Sequence, residues 1–185
     1  MDKNIFRKEC LKRLGMQRDR VNFAMDKKVI KILYDEIRDI DAKSIMLYIP
    51  LGMEVNIMPL IRRLRRDKRV LFVPFMEGES FRLVKYRLPL TKKKFGILEP
   101  KDSKQYRRRE IDIAIVPIIG IDLIQRRIGF GKGMYDRFFQ QEQKNIKKTI
   151  FISRIRCTSN RVLTDNYDIR ADKIITAFRR EYKVW

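Results

Sequence analysis

Residues 111–119, IDIAIVPII, and residues 127–136, RIGFGKGMYD, decide what this chain folds into. The first stretch is an apolar run of strand length, which predicts a central strand buried on both faces of a sheet. The second stretch is rich in glycine and leads into a helix that we expect from about residue 133 to 144. A buried strand, a glycine loop and a helix in this order are typical of α/β proteins.

Helices and strands alternate along the rest of the chain. We expect a helix at residues 2–14, with Phe6, Cys10 and Leu14 on one apolar stripe, and further helices at 18–40 and 56–66. The second helix should turn Val21, Met25, Ile32, Tyr34 and Ile37 toward the core. Strands are expected at 44–50, 69–75, 81–87, 148–155 and 173–177, and residues 88–109 should be mostly irregular. This order predicts one domain, residues 1–185, folded as a three-layer α/β/α sandwich around a mostly parallel, mixed sheet.

The composition narrows the chemistry. The 185 residues include no histidine, which excludes histidine-based acid–base catalysis, Ser-His-Asp and Cys-His nucleophiles and nearly all zinc sites. The net charge of +21 concentrates anions such as nucleotides, polycarboxylates or nucleic acid around the protein. Because the charges are spread along the whole chain, a generally basic, solvated surface explains them equally well.

The sequence also predicts where the protein works. It has no apolar run of membrane-spanning length, and its basic N-terminal residues are not followed by the apolar stretch of a secretory signal. Cys10 and Cys157 match no metal or redox spacing, so we expect two buried free thiols in a reducing compartment. These features predict a cytoplasmic protein without a membrane partner.

The glycine loop, residues 127–135, has the features of a phosphate-binding loop. Gly129, Gly131 and Gly133 allow positive φ and let backbone N–H groups approach a phosphate at the start of a helix. Arg127 and Lys132 add full positive charges. The loop matches neither the Walker pattern nor the dinucleotide fingerprint, and a tight turn with surface charges remains an alternative.

Asp136 follows the glycine loop by one residue. A triphosphate travels with Mg²⁺, which binds carboxylate and phosphate oxygens, so a carboxylate in the first turn of this helix could hold the ion. The same carboxylate could instead simply complement the helix dipole. Together with the loop it predicts an enzyme that uses ATP and acts on a small anionic substrate.

Residues 116–138, VPIIGIDLIQRRIGFGKGMYDRF, closely resemble the signature of 5-formyltetrahydrofolate cyclo-ligases, also called methenyltetrahydrofolate synthetases. That signature runs approximately V-P-x-x-x-x-D-x-x-x-x-R-[LI]-G-x-G-x-G-Y-Y-D, and the spacing matches without a gap. Four further elements of the family match in order along the chain: Lys3 with Arg7, residues 48–55, residues 95–100 (FGILEP) and residues 167–176.

The resemblance implies a fold and a reaction. The fold would be an α/β/α sandwich. The reaction would begin with phosphorylation by ATP of the formyl oxygen of 5-formyltetrahydrofolate; N10 would then attack the activated carbon, and phosphate would leave to give 5,10-methenyltetrahydrofolate. Phosphoryl transfer depends mostly on positioning and charge neutralisation, which suits a protein without histidine. A folate with a glutamate tail, often extended, is also an anion that the positive field would attract.

The resemblance further implies roles for individual residues. Arg127 and Lys132 would be catalytic, Leu51, Glu54 and Asn56 would contact the folate, and Asp136 and Asp172 would hold Mg²⁺. ATP would be bound by Lys3, Arg7, Arg127, Gly129, Phe130, Gly131, Lys132, Gly133, Met134 and Tyr135. Without the family, Lys3 and Arg7 would be read as a solvated helix face, Glu54 as a helix-start acid and Asp172 as a loop acid before a strand.

Three residues depart from the family pattern, and two other functions stay open. Met134 replaces the first tyrosine after the loop glycines, Asn56 stands where many relatives carry an acid, and Tyr167 replaces a histidine. We expect Met134 to alter affinity rather than abolish function, because methionine packs well against flat ligands. The alternatives are a basic nucleic-acid-binding module, for which no RRM, KH or helix-turn-helix signature is present, and a catalytically silent ATP-binding regulator. A monomer is favoured, and nucleic acid is not an expected partner.

Overall fold

The computed structural model describes residues 2–16, 19–92, 98–100 and 110–178, together with the backbone of 181–184. The four helices are α1 (Lys3–Gly15), α2 (Asp19–Asp39), α3 (Met58–Arg66) and α4 (Met134–Glu142), the last followed by a 3₁₀ helix at Gln143–Asn145. The strands are β1 (Ser44–Met46), β2 (Val70–Glu77), β3 (Ser80–Lys85), β4 (Leu90–Lys92), β5 (Leu98–Pro100), β6 (Ile113–Pro117), β7 (Gly120–Ile121), β8 (Arg127–Ile128), β9 (Thr149–Ser153), β10 (Arg156–Ser159), β11 (Lys173–Thr176) and β12 (Glu181–Val184).

A six-stranded sheet forms the centre of the protein in the order β11-β9-β6-β1-β2-β3. All neighbouring pairs are parallel except β2 with β3, which is antiparallel and places β3 at an edge. The apolar run at 111–119 supplies β6, which lies between β9 and β1. The prediction of a central strand there, and of a mostly parallel, mixed sheet, is confirmed.

The sheet separates two hydrophobic cores, so the fold has three layers. Along β6, Ile113 and Ile115 belong to the core under α1, α2 and α3, whereas Ala114 and Val116 belong to the core under α4. This alternation follows from the period of two residues in a strand. The α/β/α sandwich predicted from the sequence is therefore the observed architecture.

A second sheet of four strands, in the order β12-β10-β7-β8, was not predicted. Helix α1 packs closely on this sheet at Gly120. A Cβ added there would lie 2.8 Å from the ring of Phe6 on α1 and 2.8 Å from the carbonyl oxygen of Cys157 on the neighbouring strand β10. The packing of α1 on this sheet also shows that the prediction of two free thiols is wrong. Cys10 on α1 and Cys157 on β10 form a disulfide across 147 residues of sequence, with a Cα–Cα distance of 6.0 Å. Sequence spacing could not reveal it, since the fold alone brings α1 and β10 together.

Two predicted elements differ from the structure in ways that matter for the site. On α2, Val21 and Ile32 are exposed, and the buried stripe runs instead through Met25, Val29, Leu33 and Ile37, accompanied by the acid Asp26. The strand predicted at 44–50 ends at Met46, so residues 47–57 form an irregular connection to α3. Within the described ranges, no helix is both long and apolar enough to cross a membrane.

Candidate active site

The glycine loop joins β8 to α4 at the carboxyl edge of the sheet. Gly131 and Gly133 adopt φ of +94° and +62°, the left-handed region that favours glycine, and Gly133 is the N-cap of α4. Gly129 does not adopt positive φ, contrary to the prediction. Glycine is needed there for a different reason, because a Cβ at this position would overlap the guanidinium group of Arg127.

Arg127 lies beneath the glycine loop and is only 6% exposed. Its Nε donates to the carbonyl oxygen of Pro117 at 3.2 Å, and its guanidinium lies over the ring of Tyr135 at 4.7 Å from the centroid. Its Nη1 is 3.8 Å from Oδ2 of Asp136. Burial lowers the pKa of Arg127, and the carboxylate of Asp136 opposes this effect. Arg127 thus ties the end of β6 to the first turn of α4.

Helix α1 carries two cations to the same place. The Nε of Arg7 donates to the carbonyl oxygen of Gly129 at 2.7 Å, and the Nζ of Lys3 is 2.6 Å from Oδ2 of Asp168. Both residues are partly exposed. The structure therefore brings Arg7 to the glycine loop, 122 residues away in sequence, and pairs Lys3 with Asp168.

Asp168 is a residue of this site that the sequence reasoning did not assign. It is 6% exposed, and besides Lys3 it accepts a hydrogen bond from the backbone N–H of Asp165 at 2.8 Å. Its negative charge also acts on Arg127. The signal for it was present, because Asp168 belongs to the closing element of the family resemblance. Its neighbour Tyr167 is exposed and donates from its hydroxyl to Asp165, a bond that raises the pKa of Tyr167.

The two carboxylates predicted to hold Mg²⁺ lie at opposite ends of the strands, one at the carboxyl ends and one at the amino ends. Asp136 is 9% exposed, and its Oδ1 is buried without a hydrogen-bond partner beside the glycine loop. Asp172 accepts from the backbone N–H of Thr149 at 2.7 Å, at the amino end of β9. In the pairing of β6 with β9, Pro117 lies opposite Ile152, three residues beyond Thr149. Asp136 lies near Pro117 and Asp172 at Thr149, so the two acids are separated by roughly 10 Å along the strands. No group of three or more potential ligands from His, Cys, Asp and Glu occurs in the described part of the chain.

The exposed part of the glycine loop consists of Phe130, Gly131 and Lys132. The backbone carbonyl of Lys132 accepts from Nη2 of Arg137 at 2.6 Å, which fixes the loop against α4. Met134 is half-buried and packs on the α4-side core. The departure at Met134 therefore falls at the base of the loop, next to Tyr135, whose hydroxyl has a pKa raised by burial.

A second irregular segment, residues 51–56, lies beyond the carboxyl end of β1. The backbone N–H of Leu51 donates to Oε2 of Glu54 at 2.8 Å, while Leu51 itself is exposed. Burial raises the pKa of Glu54 to about 7, against the lowering effects of the Leu51 hydrogen bond and the charge of Arg127. The charge of Glu54 in turn acts on Tyr135. Glu54 and the floor of the glycine loop are thus electrostatically coupled.

Asn56 ends the 51–56 segment and is exposed. Its Oδ1 accepts from the backbone N–H of Met58 at 3.2 Å and so supports the start of α3. Of the family element FGILEP, residues 95–97 lie outside the described residues. The buried Glu99 of β5 accepts from the backbone N–H of Met76 at 2.9 Å.

These features define an α/β enzyme with a cationic, glycine-containing loop at the carboxyl edge of its sheet. The buried carboxylate of Asp136 lies beside this loop. Residues 1–177 match the model of the 5-formyltetrahydrofolate cyclo-ligase family, and the chain belongs to that family. Its function is accordingly the conversion of 5-formyltetrahydrofolate to 5,10-methenyltetrahydrofolate. The sequence-based predictions of the family, of the folate conversion and of the enzyme class are confirmed.

Individual relatives show the extent of the similarity. A 5-formyltetrahydrofolate cyclo-ligase of Mycoplasma pneumoniae is 25% identical over 179 residues, covering 95% of this chain and 98% of the relative. One of Haemophilus influenzae is 29% identical over 109 residues, covering 55% of this chain and 58% of the relative.

Solved structures of two 5,10-methenyltetrahydrofolate synthetases share the fold. That of Aquifex aeolicus superposes with a TM-score of 0.75 at 29% identity, covering 96% of this chain and 90% of the other. That of Mycoplasma pneumoniae superposes with a TM-score of 0.71 at 23% identity, covering 95% of this chain and 98% of the other.

Proposed function

We propose that this chain performs its reaction with Mg-ATP held by the glycine loop and α1, and with the folate held by the 51–56 segment. The observation that carries the proposal is the position of Arg127. Its buried guanidinium contacts Tyr135 and Asp136 of the loop and α4, and its charge acts on Glu54 of the other segment. One residue therefore links the two sets of side chains that the reaction has to bring together.

The loop and α1 would bind the phosphates. Gly131 and Gly133 in left-handed conformation allow the chain to expose backbone N–H groups at the start of α4, where the helix dipole favours an anion. Lys132 at the exposed tip and Arg7 beside Gly129 would add full charges to the same place. Bound ATP would supply the phosphoryl group that activates the formyl oxygen, after which N10 closes the ring and phosphate leaves.

Arg127 and Lys132 would have different catalytic roles. Lys132 is exposed and can neutralise charge on the transferred group. Arg127 is buried, so it would act from beneath the loop by holding Tyr135 and Asp136 in place and by adding positive potential.

Asp136 is the residue that fits Mg²⁺. A buried carboxylate oxygen without a hydrogen-bond partner is suited to a cation, and Mg²⁺ is commonly held by one or two carboxylates together with substrate phosphates. Mg²⁺ would neutralise charge on the phosphates. The contacts of Asp172 with Thr149 do not support the same role for it, whereas Asp168, paired with Lys3, lies on the loop side.

The 51–56 segment would recognise the folate. Glu54 presents a carboxyl group beside Arg127, Leu51 presents an exposed apolar side chain, and the amide nitrogen of Asn56 can donate to a pterin edge while its Oδ1 supports α3. The net charge of +21 would attract the glutamate tail of the folate, including an extended one.

The experiment is to incubate the protein with 5-formyltetrahydrofolate and Mg-ATP and follow 5,10-methenyltetrahydrofolate by its ultraviolet absorbance. We expect product only when ATP is present. ATP binding without product would indicate a silent regulator instead. Steeply salt-dependent binding of RNA or DNA, with ATP irrelevant, would indicate a nucleic-acid-binding module.

We also propose that the protein is a cytoplasmic monomer. The disulfide between Cys10 and Cys157 removes free thiols as an argument for a reducing compartment. The location then rests on the supply of ATP and folate, and fractionation of cells tests it. Sedimentation at micromolar concentration should give the mass of one 22.4 kDa chain.

A further inference from the structure

A buried ion pair lies outside the glycine loop and takes no part in the binding described above. Asp26 of α2 and Arg154, the residue after β9, form two hydrogen bonds, Nε to Oδ1 at 2.7 Å and Nη2 to Oδ2 at 3.0 Å. The residues are 7% and 6% exposed. Removing two charges from water is costly, and such a pair often stabilises a fold no better than apolar residues of the same size. Its place in the structure therefore points to a role other than stability.

Two further side-chain hydrogen bonds of the pair, as far as the structure describes the chain, go to the 51–56 segment. Nη1 of Arg154 donates to the carbonyl oxygen of Met53 at 3.2 Å, and Oδ2 of Asp26 accepts from the backbone N–H of Asn56 at 3.1 Å. These two backbone groups flank Glu54 and Val55. The ion pair thus holds both ends of the four residues that include two of the proposed folate contacts.

This part of the chain depends on such anchors. Leu47 still donates its backbone N–H to the carbonyl oxygen of Phe72 on β2, but residues 48–56 belong to no helix or strand, so their backbone groups have no regular ladder to bind. Between the two attachments of the ion pair, the carbonyl oxygen of Val55 accepts from the buried hydroxyl of Tyr48 at 2.7 Å. The backbone on either side of Glu54 is therefore fixed by three side chains: Asp26 of α2, Tyr48 in the stretch after β1, and Arg154 at the end of β9.

We propose that Asp26 and Arg154 are positioning residues for folate recognition. They touch neither the substrate nor ATP in this assignment. They set the place of the Glu54 carboxyl and the Asn56 amide by holding the backbone at Met53 and Asn56. The inference rests on the proposed role of the 51–56 segment, and it predicts that loss of the pair weakens folate binding while leaving ATP binding at the glycine loop unchanged.

The test uses the double variant Asp26→Leu/Arg154→Met, which replaces the pair with apolar residues of similar size and so leaves no unpaired buried charge. We expect the KM for 5-formyltetrahydrofolate to rise at least tenfold, with the KM for ATP within twofold of the wild type. Calorimetric titration with 5-formyltetrahydrofolate in the absence of ATP should show the same loss of affinity. Unchanged folate affinity, or an equal rise in both KM values, would overturn the proposal.

The matched control lies on the same two elements. Glu36 of α2 pairs with Lys148, just before β9, at 2.8 Å and with the exposed Lys173 of β11, and these side-chain bonds do not reach the 51–56 segment. The double variant Glu36→Leu/Lys148→Met should keep both KM values. A folate defect in this control as large as in the test variant would show that any ion pair between α2 and β9 has the effect, and would overturn a specific positioning role.

The conservative variant Arg154→Lys covers the case in which the double variant does not fold. Lysine keeps the charge next to Asp26 but cannot maintain two bonds to Asp26 and one to Met53 at once. We expect a folate KM raised several-fold, between the wild type and the double variant, and a wild-type value would overturn the proposal. A wild-type protein without any ATP-dependent product would instead overturn the proposed function, so the two failures are distinguishable.

Discussion

The glycine loop and the 51–56 segment are both irregular and lie at the same edge of the sheet, but different forces hold them. The loop takes its shape mainly from its own residues, with Gly131 and Gly133 in the left-handed region and Arg127 beneath them, and α1 adds one bond from Arg7 to Gly129. The segment takes its shape from distant side chains, Asp26 and Arg154. In the proposed active site, a local motif therefore builds one half and long-range contacts build the other.

The two regions also differ in electrostatics. The loop presents exposed positive charge to solvent, which suits a phosphate. The segment holds the carboxyl of Glu54, whose pKa burial raises to about 7. Substitutions in the loop should thus affect ATP and turnover, whereas substitutions in the segment should affect the folate and respond to pH.

The largest effect is expected from Lys132→Ala in the loop. Removing one preorganised cation from a transferring phosphoryl group should lower kcat by at least about 100-fold. Thermal unfolding should be unchanged, because Lys132 is exposed. The control is Lys144→Ala, an exposed lysine in the 3₁₀ helix beyond α4, which should keep full activity. Full activity in Lys132→Ala would show that the loop does not act on the phosphate.

Glu54→Gln tests the segment through pH. The carboxyl has a pKa near 4.5 when unfolded and about 7 when folded, so the folded chain retains a proton that the unfolded chain has lost between these values. Stability therefore falls as pH rises through this window, by on the order of 3 kcal/mol in total. Glutamine removes this loss. Urea unfolding should show the variant gaining stability over the wild type at pH 8 but not at pH 4.

The control for this prediction is Glu79→Gln, an exposed acid at the turn between β2 and β3. Its stability relative to the wild type should not change between pH 4 and pH 8. If Glu54→Gln also showed no such change, the Glu54 carboxyl would not be buried as described, and its place beside Arg127 would have to be revised.

Asp136→Asn tests the ion on the loop side. Loss of the unpartnered buried carboxylate should raise the Mg²⁺ concentration for half-maximal activity by about tenfold, or about 1.4 kcal/mol. Asp172→Asn is the matched variant at the opposite edge. It keeps a carbonyl oxygen for the N–H of Thr149 and should leave the Mg²⁺ requirement unchanged. The reverse result would assign the ion to Asp172.

The smallest effect is expected from Gly133→Ala. A left-handed alanine costs roughly 1–2 kcal/mol, and relief of this strain should shift the loop and raise the KM for ATP several-fold. Gly78 has nearly the same φ, +58° against +62°, but lies at the turn between β2 and β3. A Cβ at Gly133 would also lie 2.8 Å from Nη1 of Arg137, whereas a Cβ at Gly78 meets nothing within 4 Å. Gly78→Ala should therefore lose stability through the backbone strain alone, measured by thermal unfolding, with no change in the KM for ATP. An equal change in the KM for ATP in Gly133→Ala and Gly78→Ala would contradict a local effect of the loop.

The sequence predicted the parts that depend on local pattern. The apolar run predicted the central strand β6, and the glycines and cations predicted a phosphate-binding loop, a role that stays a prediction. The family element around Glu54 indicated the segment proposed to bind the folate. Each of these signals lies within a short stretch of chain.

Contacts between distant residues were missed where no family element marked them, whereas the resemblance did place Arg7 with the glycine loop. The stripe on α2 was misplaced because Asp26 faces the core, and only its pairing with Arg154, 128 residues away, makes that burial acceptable. The disulfide of Cys10 with Cys157 was missed for the same reason. Asp172 looked like a partner of Asp136 in the motif, but the direction of β11 carries it to the amino edge.

The most direct test of the account is the ratio of phosphate released to 5,10-methenyltetrahydrofolate formed, measured with γ-labelled ATP in one reaction. The account predicts one phosphate for each ring closed, and loss of both signals together in Lys132→Ala. Ring closure without phosphate release, or phosphate release that continues without folate, would contradict the claim that the glycine loop and the 51–56 segment form one active site.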